Sequence, residues 1–230
     1  MKNLDKLMIW TWWQRVIILG TPLTLGILEM WHPVGLPNKT PFESVLPKVD
    51  WWITLHLLQL PLFGLLGLAV ILLVHNLHGW AATLSRIGIA FFIVFYVALD
   101  SIMGIAGGLL IRSARDLSPN IQIFAANQFN LLLFEPIIGG STFSLLGILG
   151  GGGWAIGVIA AAIALRRSGV PLLSFVFLLA SAILFGLAHV PPTGPLGLAC
   201  FFIAVVRIDP FLWGDKNIAR HNRYNQEVLR

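Results

Sequence analysis

Residues 50–74 read DWWITLHLLQLPLFGLLGLAVILLV. After Asp50 the stretch reaches Val74 without a formal charge. A helix rising about 1.5 Å per residue crosses a hydrocarbon core of roughly 30 Å over such a length. Two polar side chains interrupt it near its start, His56 and Gln59, three residues apart and so on one helix face. A polar group inside a membrane segment is costly and points at a partner or a cavity. The reading of the chain turns on what these two face.

The rest of the sequence agrees with this class. Hydrophobic residues make up 57% of the 230 and charged residues 11%, against about 25% charged in a soluble domain. Mean hydropathy is +0.84. The net charge is +5, but Lys and Arg are spread over connections and tail. No aromatic-basic interleaving of the kind that binds single strands is present, so nucleic acid is not an expected partner. Cys200 is the only cysteine and lies in an apolar run, which excludes an intrachain disulfide and any cysteine-based zinc motif. The N-terminal stretch, with Trp10, Trp12, Trp13 and Arg15 ahead of its apolar run, reads as a retained first span.

Working outward, the sequence predicts an all-α polytopic protein of about six transmembrane helices. Segment one covers Met8 to Met30 with a kink at Thr21-Pro22. A proline-rich loop, Pro33 to Pro47, leads into segment two, whose Leu60-Pro61 is expected to open the helix near His56. Segment three covers Ile87 to Ile111 and contains Asp100, followed by the small-residue pair Gly104 and Gly108, suited to close helix contact. Arg112 to Asn130 reads as a polar loop with a short interfacial helix. Segment four runs from Leu131 to Leu165, bent, broken or closely packed at Gly150 to Gly153. Segment five is Pro171 to Ala188, and segment six Leu196 to Ile208. Residues 1–213 form one transmembrane domain and 214–230 a basic tail.

With six spans, Lys2, Lys6, Arg15, Arg86, Arg166, Arg167, Arg207, Lys216, Arg220, Arg223 and Arg230 share the side of the termini, against Lys39, Lys48, Arg112 and Arg115 on the other. The positive-inside rule then makes both termini cytoplasmic in a multi-pass protein of the cell membrane. Under that topology Glu29, His32, His56, Gln59, Asp100, Glu135 and His189 gather toward the extracytoplasmic leaflet, from five helices. Imidazole and carboxylate together suit zinc, iron, copper or manganese. Glu29, His32, His56, Glu135 and His189 are the candidate ligands, with Glu29-x-x-His32 spaced as in di-metal carboxylate bundles. Asp100 and Gln59 are the catalytic candidates, placed to orient a ligating imidazole. An open metal position acidifies water and supports hydrolysis.

The leading expectation is a membrane-embedded, metal-dependent enzyme that takes a lipid-like or small hydrophobic substrate from membrane lipid. The alternatives are a haem or quinone redox protein using His56 and His189, a proton- or cation-coupled transporter through Asp100, and a structural subunit that oligomerises through glycine-rich helix faces. HExxH, Gly-x-Ser-x-Gly, P-loop and EF-hand patterns are all missing.

Overall fold

The computed structural model describes residues 10–140 and 143–209. The first residues of segment one and the basic tail lie outside the described residues. About 80% of the structure is helical, with no strand among the described residues.

Helix α1 comprises Trp12–Arg15, a wide π turn at Val16–Gly20 and Thr21–Met30. The π turn sits just ahead of Pro22, which lacks the N–H that would bond Ile18, so the helix yields where the sequence predicts a kink. Helix α2 spans Pro41–Leu73 and starts earlier than expected. Thr40 Oγ accepts from Glu43 N–H at 3.2 Å while the Glu43 carboxylate accepts from Thr40 N–H at 2.8 Å. Pro41 occupies the first helical position, where no N–H is needed. Only residues 33–40 of the proline-rich stretch are loop. A 3-10 turn at Leu46–Lys48 absorbs Pro47, and Val49–Leu73 then runs on through Pro61 without opening.

Helix α3, Trp80–Ala114, carries two π turns, Phe92–Tyr96 and Ser101–Ala106, which bracket Asp100. Helix α4, Pro119–Leu133, is capped by Ser118-Pro119. It is longer than the interfacial helix expected there and includes the start assigned to segment four. Glu135 and Pro136 fall in the connection after it. Helix α5, Leu145–Arg167, begins at Ser144, whose Oγ accepts from Gly147 N–H at 3.0 Å. Helix α6 is Leu172–Leu187, and α7 covers 193–209.

The glycine run does not break α5, which is one continuous helix; it brings α5 against α3. A Cβ on Gly153 would lie 2.6 Å from Phe92 N, and one on Gly88 would lie 2.7 Å from Gly157 N. Below the site, Phe63, Phe92, Trp154, Phe185 and Phe201 are fully buried in one core that joins α1, α2, α3, α5, α6 and α7. A smaller core, with Phe42, Ile53, Met103 and Phe129, joins α2, α3 and α4.

Among the described residues three helices are long and apolar enough to cross a membrane: α2, α3 and α5. Helix α6 is apolar but shorter, at 16 residues. One end of the bundle holds Asp50, ion-paired to Arg115 at 2.7 Å. The other holds Arg86, donating to the carbonyls of Val74 and Leu77, Arg167 stacked 4.9 Å above Trp80, and Arg15 bonded to Asp209 at 2.9 Å.

Candidate metal centre

The histidine end is built from four pieces of chain. Helix α1 ends at Met30 and the chain turns, with His32 N–H donating to Glu29 O. This delivers a buried His32 beside α2. His56 stands on α2 under Trp52, whose ring centroid is 4.4 Å from the imidazole. Asp100 is on α3 between the two π turns, and His189 follows the end of α6. The imidazoles of His32, His56 and His189 converge, so that one nitrogen of each lies within 4.8 Å of the other two. His32 meets His56 and His189 edge to face, with centroids 5.2 and 5.1 Å apart.

Hydrogen bonds on the far sides of the rings decide which nitrogens face inward. His32 Nδ1–H donates to Pro33 O at 2.9 Å, and His56 Nδ1–H to Trp52 O at 2.6 Å. His189 Nδ1 pairs with the Tyr96 hydroxyl at 2.8 Å. Nε2 is therefore the nitrogen left for a metal on all three rings, that of His56 facing Asp100. His32 Nε2 and His189 Nε2 are buried without any hydrogen-bond partner. A backbone carbonyl on Nδ1 is the usual way a protein fixes a histidine tautomer for metal binding through Nε2.

Two of the imidazoles are biased by their surroundings toward the neutral form that a ligand needs. His32 and His189 lie in connections outside the helical spans. Burial pushes His32 down to about 4, against the opposing pull of the Pro33 carbonyl. Burial, followed by the neighbouring imidazoles, holds His189 well below the usual histidine range. Nitrogens bound at about 2.1 Å to a tetrahedral ion stand roughly 3.4 Å apart, so the rings need close by little more than an ångström. These three histidines can hold a metal ion.

Asp100 Oδ1 lies 3.6 Å from His56 Nε2, and Oδ2 is buried without a partner. Asp100 borders the site without joining the three-nitrogen group. Gly104, one turn on, makes the approach possible: a Cβ there would fall inside the His56 ring. Trp52 Nε1–H donates to Gly104 O at 2.7 Å and ties α2 to α3 at this level. Beside the imidazoles a cavity of about 440 Å³ opens, lined by all three histidines and Asp100 and by residues of α2, α3, α4 and the 33–40 loop.

Not every predicted site residue is here. The Gln59 carboxamide donates to Glu29 at 2.6 Å, and both side chains are fully buried. They pair one helical turn further along α2, within electrostatic reach of Asp100 and outside the three-nitrogen group. His32 falls after the end of α1, so Glu29 and His32 are not an i, i+3 pair on one helix. Glu135 is also elsewhere: its carboxylate accepts from the N–H groups of Ile137 and Ile138, at 2.6 and 2.5 Å, and holds the turn after α4. Of the expected ligands the structure brings together His32, His56 and His189, with Asp100 beside them. Sequence reasoning missed Tyr96 and Trp52, while Gly104 was expected at a close helix contact and here admits the His56 ring. Tyr96 had a signal, since it is the lone hydroxyl in FFIVFYVALD, four residues before Asp100.

In comparisons with protein-family models, curated protein sequences and solved structures, nothing matches this chain.

Proposed function

We propose that this chain is a six-span protein of the cell membrane with both termini cytoplasmic. In this reading it is a metal-dependent enzyme that hydrolyses a lipid-like substrate in the extracytoplasmic leaflet. The observation that carries the reading is the convergence of three imidazoles with Nδ1 engaged outward and Nε2 left for a metal. Helices α1, α6 and α7 supply the spans beyond α2, α3 and α5. The basic residues on the bundle end away from the histidines, Arg15, Arg86 and Arg167, support the orientation.

Three protein nitrogens plus an open position is the arrangement of catalytic rather than structural zinc sites; iron and copper also accept imidazole. The metal, when bound, lowers the pKa of a coordinated water toward neutrality. The chain supplies the rest. Asp100 stands beside His56 as the general base that takes the water's proton and returns it to the leaving group. Tyr96 and the Trp52 carbonyl hold the rings in position.

Geometry favours a bare ion over haem. With His32 within 4.8 Å of both other ring nitrogens, no plane is left between His56 and His189 for a porphyrin. The aromatic core of Phe63, Phe92, Trp154 and Phe185 beneath the site favours an enzyme over a pore.

The test is chelation and reloading of protein in lipid nanodiscs, with hydrolysis of acyl esters and amides as the readout. Turnover is expected to vanish with the metal and return with zinc, iron or copper. Asp100→Asn is expected to keep the metal and lose about 100-fold or more in rate. Full turnover in stripped protein, or in Asp100→Asn, would refute the assignment.

A further inference from the structure

The cavity beside the histidines has three different walls. The deep wall is the site itself, ending in Asp100. A second wall is apolar: Leu99 and Met103 from α3, Phe129 and Leu133 from α4. The third is the 33–40 loop with the start of α2, and it carries Lys39, the one Lys or Arg that lines the cavity among the described residues. Ser44, on the same wall, is already engaged: its hydroxyl donates to Thr40 O at 2.9 Å and accepts from Leu36 N–H at 3.0 Å. The Glu43 carboxylate lies within electrostatic reach of Lys39, but it is bonded to Thr40 and does not line the cavity. Lys39 is the charged side chain on this wall that can meet an anion in the cavity.

We propose, resting on the metal-enzyme reading, that the substrate is a single-chain amphiphile with an anionic head, its ester or amide bond lying at the histidines. Lys39 binds the head and the apolar wall binds the chain. The charge sets the direction. Lys39 attracts an anionic head to the mouth, which leaves the ester or amide bond to reach the histidines. The size sets the chain number: about 440 Å³ lies in the range of small-molecule pockets and is too small to enclose a two-chain phospholipid.

The apolar wall also gives the chain a route to lipid. Helix α4 turns Phe129 toward the cavity and keeps it buried, while Ile121, Ile123, Phe124 and Leu131 stand exposed on it. Exposed apolar side chains of this kind suit a helix in contact with acyl chains. A chain that leaves the cavity past Leu133 meets that surface.

The reaction balances without a further reactant. Water oxygen attacks the carbonyl carbon, and the C–N or C–O bond breaks. Asp100 carries one proton from the water to the leaving nitrogen or oxygen. The products are a fatty acid and an amine or alcohol that bears the anionic group.

The probes are N-lauroylglycine and N-lauroylethanolamine, matched in chain and amide and different in head charge. Metal content, binding and cleavage are measured on the same nanodisc preparations of wild type, Lys39→Gln and Lys39→Glu. Wild type is expected to prefer the glycine conjugate by roughly fivefold or more in kcat/KM and in affinity. Lys39→Gln is expected to erase the preference and Lys39→Glu to reverse it, both with full metal content. Metal-loaded protein that treats the two probes alike, binds neither, or keeps its preference in Lys39→Gln would overturn the anionic-head assignment and leave the metal centre standing. Wild type that takes up no metal would overturn the metal-enzyme reading itself.

Discussion

Glycine brings helices together in two regions of this protein, with opposite results. Between α3 and α5 the backbones meet. Gly88, Gly153 and Gly157 leave each other's chain at distances where no Cβ fits, and the space closes into a dry core around Trp154 and Phe92. Between α2 and α3, nearer the histidine end, Gly104 makes room for a side chain instead, the His56 imidazole. The difference lies in what faces the glycine. Backbone opposite glycine gives contact along the helix, which holds membrane helices together where lipid offers no hydrophobic drive. An imidazole opposite glycine gives a niche, and the π turns on either side of Asp100 turn a carboxylate toward it.

The largest effect that would break this comparison is at the niche. In Gly104→Ala the added methyl displaces the whole His56 side chain, since its Cβ as well as its ring is too close. Metal affinity is expected to fall by about 100-fold or more, judged against losses of 10–100-fold for outer contacts alone. Thermal stability should change little by comparison. Isothermal titration with zinc beside a melting curve checks both.

At the closed contact the order reverses. Gly153→Ala meets backbone atoms of Phe92 and Gly88 that cannot swing aside, and a cost of about 1–3 kcal/mol is expected for overpacking. The folded fraction should still bind metal at wild-type affinity. A denaturation series in mixed micelles, scored for metal at each point, separates the two.

How much of this was legible in the sequence follows the same division. The apolar length of residues 50–74 and the positions of His56, Asp100 and His189 point to a membrane bundle with a polar end. The close packing at Gly150 to Gly153 was among the readings the run allowed. Three features stayed hidden because they depend on local chain direction. Thr40-Pro41-Phe42-Glu43 starts a helix inside what reads as a proline loop. The turn after Met30 parts Glu29 from His32. The end of α4 at Leu133 puts Glu135 in a connection, where its carboxylate serves two backbone N–H groups. The role of Tyr96 required knowing that α3 and the end of α6 meet.

A smaller effect sharpens the niche. Tyr96→Phe removes only the hydroxyl that holds His189 Nδ1. Metal affinity is expected to drop by about tenfold, with His56 undisturbed. The smallest effect is the control. Gly152 lies in the same run but has nothing within 4 Å of its missing Cβ. Gly152→Ala is therefore expected to stabilise the helix by up to about 1 kcal/mol and to leave metal binding unchanged. A destabilised Gly152→Ala would mean that the run acts through flexibility rather than contact.

The most direct test of the central claim is the metal content of detergent-purified protein after exposure to zinc, iron and copper. Wild type, His56→Ala and the triple variant His32→Ala/His56→Ala/His189→Ala are compared. One ion per wild-type chain, lost in both variants while each still elutes as folded protein, is the expected result. Metal-free wild type, or metal retained by the triple variant, would contradict it.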